Sequence, residues 1–276
     1  MRYLSASLLV AILMCFTVHA ATPAPSDAKS AAPVVLITGS DRGIGFALTQ
    51  EFVSRGWKVI ATCRDPGRAN QLQEFAASHH EITIEVLDVA DDAAIDALAA
   101  KYSGRPIDVL VNNAGIVGDL IAQHVGTFNA AGFEQVMRVN SYAPLRVSQA
   151  FLENVAASRQ KKIVAISSGS GSLWMAQQTR AYYYYNMSKS ALNMGMRILQ
   201  NEVRDRGILV GIVSPGPVDT DMQREYRAAA AQANTPITTP ALSPEDSARA
   251  LVTYVETLST DKAGRFYSYN GQEIPW

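Results

Sequence analysis

Tyr185 and Lys189 stand four residues apart in Tyr185-Asn186-Met187-Ser188-Lys189. At i and i+4 of a helix two side chains share one face and can meet at one point. An ammonium beside a phenol favours the ionised form, and such a phenol both donates and accepts a proton near neutral pH. The magnitude suffices: a unit charge ~4 Å from the phenolate, at an effective dielectric of ~20, contributes roughly 4 kcal/mol. That is enough to bring a phenol from ~10 toward ~7. The pair therefore predicts a proton-transfer group in which Lys189 lowers the pKa of Tyr185.

Two motifs precede the pair. Asn112-Asn113-Ala114-Gly115 lies about seventy residues upstream, after an apolar run, and Thr38-Gly39-Ser40-Asp41-Arg42-Gly43-Ile44-Gly45 comes earlier still. The spacing Gly39-x-x-x-Gly43-x-Gly45 differs from the commoner GxGxxG, but the physics is shared. Glycine permits a tight turn and close backbone approach, and a helix N-terminus favours a phosphate. An ordinary glycine-rich loop is the competing reading. The position after one apolar strand and before a helix favours the phosphate site.

Together these motifs resemble the short-chain dehydrogenase/reductase family, from about Pro33 to Trp276. The closer likeness is to C-factor and sniffer-like carbonyl reductases. It is carried by Tyr185-Asn186-Met187-Ser188-Lys189-Ser190-Ala191-Leu192-Asn193-Met194, and by Gly264-Arg265-Phe266 through Ile274-Pro275-Trp276. The resemblance implies a nicotinamide-dependent oxidoreductase that interconverts a small carbonyl compound and its alcohol, with Asn140, Ser168, Tyr185 and Lys189 as catalytic residues. It implies a cofactor held by Gly39, Asp41, Arg42, Gly43, Ile44, Gly45, Arg64, Asp88, Val89, Asn113, Ala114, Gly115, Tyr185, Lys189, Pro215, Gly216, Val218 and Thr220. A homodimer through two long helices is also implied.

Several of these positions carry a second reading. Ser168 follows the fifth strand seventeen residues before Tyr185, a longer gap than in many relatives, which keeps Ser167 and Ser170 as weaker candidates. Asp88 is either the acid contacting adenine or a cap for the helix starting near Asp91. Asn113 either touches the cofactor or stabilises the sheet. Pro144 cannot donate to the carbonyl at i−4, so the Asn140 carbonyl stays free for a water inside its helix, or else the segment is a plain kink. Tyr182, Tyr183 and Tyr184 fall out of register with Lys189 and read as core or pocket-wall aromatics.

Arg42 and Arg64 bear on the cofactor. An NAD enzyme of this kind places an acid at the end of the second strand, on the ribose 2′-hydroxyl. Here that strand ends Ala61-Thr62-Cys63-Arg64, with no acid before Asp65. Two guanidiniums suit a 2′-phosphate, which arginine grips bidentately, so NADP(H) is expected over NAD(H). Two solvated surface arginines are the alternative.

The elements that position these groups alternate. Strands are expected at Val34–Thr38, Trp57–Cys63, Ile82–Leu87, Ile107–Val111, Ile163–Ser167, Ile208–Val213 and Arg265–Ser268. Helices are expected at Phe46–Arg55, Asp91–Tyr102, Gly132–Ser158, Tyr183–Arg206 and Pro244–Leu258. The resemblance implies that Asp221 to Pro240 is a mobile lid that carries substrate choice. Right-handed βαβ units then give an α/β fold, a Rossmann-type doubly wound parallel sheet of about seven strands with helices on both faces. The 276 residues allow one such domain, spanning 33–276.

With 48% hydrophobic and 18% charged residues and a net charge of −1, the composition is globular and argues against nucleic acid. His79, His80 and His124 lack metal-ligand spacing, so no metal is expected. Residues 1–20 have a basic start at Arg2, an apolar run and Val18-His19-Ala20, the layout of a secretory signal peptide. The run is short for a membrane span. Residues 21–32, rich in Ala, Pro and Ser, read as a disordered linker. Export to a periplasmic or extracellular location follows, with an uncleaved anchor or a misplaced start codon as alternatives. After cleavage only Cys63 remains, excluding an intrachain disulfide. An exported signalling or dinucleotide-binding protein without essential turnover is the rival function.

Overall fold

Strand β1, Val34–Ile37, shows how the sheet is built: Val35 and Ile37 enter one core, and Leu36 enters the other. Alternate residues point to opposite faces of a strand, and both faces here are covered, so the run is apolar throughout. The computed structural model describes residues 31–178, 182–232 and 238–276. The predicted signal peptide and most of the predicted linker lie outside the described residues.

The other strands are β2 (Lys58–Cys63), β3 (Ile82–Val86), β4 (Val109–Asn112), β5 (Lys162–Ile166), β6 (Leu209–Ser214) and β7 (Phe266–Ser268), in the order β3-β2-β1-β4-β5-β6-β7. Every neighbouring pair is parallel. This is the predicted doubly wound sheet. The chain winds outward from β1 to β3, then returns to pair β4 on the other side of β1. A crevice opens at that reversal, beyond the carboxyl ends of β1 and β4.

Helices α1 (Gly43–Ser54), α2 (Asn70–Ala77) and α9 (Pro244–Glu256) cover one face through Leu48, Phe52, Leu72, Leu251 and Val255. Helices α3 (Asp92–Lys101), α5 (Ala143–Ala150), α6 (Leu152–Ala156) and α7 (Tyr183–Val203) cover the other through Ile95, Leu98, Val147, Val155, Leu192 and Met196. Helices α4 (Ala130–Met137) and α8 (Asp221–Gln232) flank the crevice. Among the described residues no helix is long and apolar enough to cross a membrane.

Three expectations change. The single helix expected over Gly132–Ser158 is α4, a π-helical turn at Arg138–Tyr142, α5 and α6. Pro144 has no N–H to donate, so the ladder slips by one residue and Ala143 N–H bonds the Arg138 carbonyl. The predicted stripe of Val136, Asn140, Ala143, Val147 and Phe151 is nonetheless buried. Helix α2 was not expected. The predicted loop from Asp221 is helical as far as Gln232, and residues 233–237 lie outside the described residues.

After β7 the chain doubles back. Ser268 N–H bonds the Gln272 carbonyl and Ile274 N–H bonds the Phe266 carbonyl at 2.7 Å. Trp276 stacks on Phe266 with centroids 5.8 Å apart. Its carbonyl accepts from Trp174 N–H at 3.1 Å, and the Pro275 carbonyl accepts from the Ser172 hydroxyl.

Candidate active site

A cleft of about 670 Å³ lies at the reversal, lined by the glycine turn, the ends of β2 through β5, and the starts of α7 and α8. Thr38, directly after β1, locks its floor. The Thr38 hydroxyl oxygen accepts the N–H groups of Asn113 and Ala114, both at 3.0 Å. The Asn113 side-chain amide donates to the carbonyls of Thr38 and Gly39, both at 2.9 Å. Asn113 therefore ties β4 to the glycine turn, and it also faces the cleft.

The turn admits only glycine at two positions. Gly39 has φ +68° with Ala114 close against it, and a Cβ on Gly45 would fall 1.9 Å from the Gly39 carbonyl oxygen. Helix α1 starts from Arg42 with no side-chain cap and no acid in its first turn, whereas Asp91, Asn129 and Ser243 cap α3, α4 and α9. Its first residues, Gly43, Ile44 and Gly45, line the cleft. An uncapped helix N-terminus approached only by glycine is a cradle that fits a phosphate.

Asp41, Arg42, Cys63, Arg64, Asp88 and Val89 line the end of the cleft beyond β2. Arg42 and Arg64 are exposed there, as a polyanion would require. Cys63 is buried; burial, with Asp41 and Asp65 nearby, pushes its thiol up to about 11. Asp88 accepts Ala90 N–H at 2.9 Å and does not cap α3; Asp91 does, accepting Ala93 N–H at 2.9 Å. Among the described residues no group of acids, histidines and cysteines could hold a metal.

At the other end, Asn140 is fully buried in the π-turn. Its side-chain amide donates to the Ile116 carbonyl and the Ser188 hydroxyl, and its Oδ1 accepts Ile116 N–H at 2.9 Å. The side chain is thus committed, and Pro144 withholds a donor from the backbone carbonyl. Gly115 packs beside both Asn140 Oδ1 and Lys189 Nζ.

Helix α7 brings Tyr185 and Lys189 to the cleft on its first two turns. Lys189 Nζ sits 5.9 Å from the Tyr185 ring centroid and donates to the Ile166 carbonyl at 3.0 Å. Ser168 lies beside the phenol, near enough to favour its ionised form. The other two serines are engaged elsewhere: Ser167 donates to Asn193 Oδ1 at 2.5 Å, and Ser170 meets Tyr226. Burial raises the Tyr185 pKa above its usual 10, with nearby Ser168 drawing it partly back. Burial also lowers Lys189 from 10.5 to about 8. The net shift of Tyr185 is therefore upward, opposite to the expectation, because burial outweighs its neighbours. Desolvation penalises both charged forms, and the ammonium is committed to Ile166.

Of the tyrosine run, Tyr182 is left-handed (φ +64°) and buried, and Tyr184 accepts Asn129 N–H at 2.6 Å through its hydroxyl. Tyr183 is exposed and edge-on to Phe128, and with Tyr184 and Met187 it walls a shallow apolar pocket away from the cleft. Pro215 and Thr220 line the cleft, and Thr220 accepts Gln223 N–H at the start of α8. Gly216 and Val218 stand behind it. A Cβ on Gly216 would strike the Tyr269 ring at 2.7 Å, and Val218 bridges to Leu242. The sequence reading missed Asp221, Met222 and Glu225 of α8, which line the substrate end. Their signal was the inward stripe of Met222, Tyr226 and Ala229, hidden among polar residues.

Comparison with known proteins agrees with this geometry. The family model described as short chain dehydrogenase matches residues 33–231. The C-signal protein of Myxococcus xanthus is 33% identical over 65% of this chain and 99% of its own length. The NADPH-bound carbonyl reductase from chicken fatty liver is 30% identical, covers 89% of this chain and 99% of its own, and superposes with a TM-score of 0.78. The carbonyl reductase Sniffer of D. melanogaster shares the fold at 24% identity, covering 89% of this chain and 100% of its own, with a TM-score of 0.77. Sheet order, glycine cradle and the Tyr185–Lys189 pair thus meet in one family, and the chain belongs to the short-chain dehydrogenases.

Proposed function

We propose that this chain is an NADP(H)-dependent oxidoreductase interconverting a carbonyl compound and its alcohol. The observation that carries the reading is the meeting of Tyr185 and Lys189, with Ser168 beside the phenol, at one end of a cleft whose other end is an uncapped helix N-terminus with two exposed arginines. Gly39 and Gly43 to Gly45 would hold the diphosphate, Arg42 and Arg64 the 2′-phosphate, and Asp88 and Val89 the adenine side. Asp41 would border that phosphate, Asn113 to Gly115 would underlie the dinucleotide, and Pro215 to Thr220 would meet the carboxamide. The NADPH bound to the chicken carbonyl reductase supports the cofactor choice.

A nicotinamide bound here supplies or accepts the hydride at the carbonyl carbon. In reduction, Ser168 and Tyr185 hold the carbonyl oxygen, and the π-electron pair of the carbonyl moves onto that oxygen. Tyr185 transfers its proton there, forming the alcohol and leaving a phenolate. Lys189 stabilises the phenolate when charged, and the Asn140 carbonyl seats the water through which the proton returns. Oxidation runs the same steps backwards. The exposed Met194 and Ile198 on α7 support pairing through that helix.

A second reading is a dinucleotide-binding protein without essential turnover. The raised phenol and the Ile166-bonded ammonium favour it. Tyr185→Phe separates the two, because it removes one oxygen and keeps the ring. Turnover with a panel of aldehydes, ketones and quinones should fall by at least ~10² while NADPH affinity stays within a few-fold. Unchanged turnover would overturn the enzyme reading of Tyr185.

A further inference from the structure

The proposed reaction gives no task to Tyr226, although α8 delivers it to the substrate end. Met222, Tyr226 and Ala229 fall on one helical face and pack against Val117, Leu120, Tyr182 and Tyr185. The Tyr226 ring lies 4.4 Å from that of Tyr182, tilted 46°, and 6.3 Å from that of Tyr185. Its hydroxyl lies near the Ser170 side chain, Ser170 N–H donates to Ser168 Oγ at 3.2 Å, and Ser168 lies beside the Tyr185 phenol. Packing against Tyr182 and Tyr185 therefore places this ring relative to the reacting oxygen. Met222 and Glu225, its neighbours on α8, and Tyr185 line the cleft, so the ring stands directly behind the lining of the substrate end. Burial pushes the Tyr226 phenol up to about 12, so it stays neutral throughout the working range.

We propose that Tyr226 is a specificity-determining residue, its ring and that of Tyr182 forming an apolar aromatic wall beside Tyr185 that selects carbonyl compounds bearing an aromatic ring. This rests on the oxidoreductase reading of the cleft. Val117, Leu120 and Met222 pack with the two rings, while Asp221 and Glu225 line the cleft beside them. Ring-on-ring contact discriminates an aromatic from an aliphatic substituent by about threefold to tenfold.

The test compares kcat/KM for benzaldehyde and butanal, with NADPH, in the wild type, Tyr226→Leu and Tyr226→Phe. The benzaldehyde-to-butanal ratio should fall about threefold to tenfold in Tyr226→Leu and hold within about twofold in Tyr226→Phe, which keeps the ring. A misfolded fraction lowers both substrates equally and leaves the ratio untouched. An unchanged ratio in Tyr226→Leu, or an equal fall in Tyr226→Phe, overturns the proposal. If the wild type binds NADPH but reduces neither aldehyde, the reaction assignment fails. Benzyl alcohol binding to the NADPH-loaded protein then decides the wall: weaker binding in Tyr226→Leu supports it, and equal binding overturns it.

Discussion

Lys189 makes the cleft a proton-linked binding site. Burial holds its ammonium near a pKa of about 8, against 10.5 in solvent, a gap equivalent to about 3.4 kcal/mol. A bound dinucleotide brings phosphate charge and ribose hydroxyls into the same cleft, which favours the ammonium and returns its pKa toward the solvent value. Binding should therefore take up protons, about 0.1 per site at pH 7, about 0.5 at pH 8 and about 0.9 at pH 9. Cys63, at about 11, contributes little in that window. Calorimetric titration of NADPH in buffers of different ionisation heat reads the number directly, with Lys189→Met as the control. Uptake below about 0.2 at pH 9, or equal uptake in the variant, would refute the reasoning. The same group acts on stability. Between pH 8 and 10.5 the unfolded chain binds more protons at this lysine than the folded one, so the ligand-free protein gains stability as pH rises there. Above 10 the raised Tyr185 works the other way, because the unfolded phenol ionises first.

The remaining predictions concern the other end of the cleft and the chain's first residues. Gly45→Ala drives a Cβ into the Gly39 carbonyl and should cost about 3 kcal/mol, lowering Tm by roughly 6–12 °C and weakening NADPH binding; unchanged thermal unfolding would count against it. NADPH should bind at least about tenfold more tightly than NADH, ~1.4 kcal/mol. Arg64→Asp should erase that preference, and equal affinities in the wild type would sink the assignment. If residues 1–20 are a signal peptide, intact mass of the native protein should place its first residue at Ala21; a soluble form retaining Met1 would exclude this.

What the sequence disclosed depended on how local its cause was. The β1 run and the glycine turn are set by neighbours in the chain, and both appear as read. Tyr185 could be separated from Tyr184 because only one register places a tyrosine four residues before Lys189. Pro144 announced a defect at Asn140, but its form, a π-turn shared over five residues, depends on how α4 and α5 pack. Helix α8 was hidden because Asp221–Gln232 is half polar and follows a proline-rich stretch. Only packing against Tyr182 and Leu120 reveals its inward stripe. For Tyr185 the expected lowering of the pKa is outweighed by burial. Spacing shows that two groups meet, but not that both leave water when they do.

The doubled-back segment after β7 couples distant parts of the chain. Opening Ile274–Trp276 would unpair the β7 edge and release Trp174 and Ser172, which follow Ser168 by a few residues. Edge pairing, the tail and the serine loop then form one cooperative opening unit, and not three independently fraying pieces. In native-state hydrogen exchange the amides of Ser268, Ile274 and Trp174 should share a single opening free energy. A sheet edge closed by its own chain also offers no open ladder to another molecule during such openings until the tail itself departs.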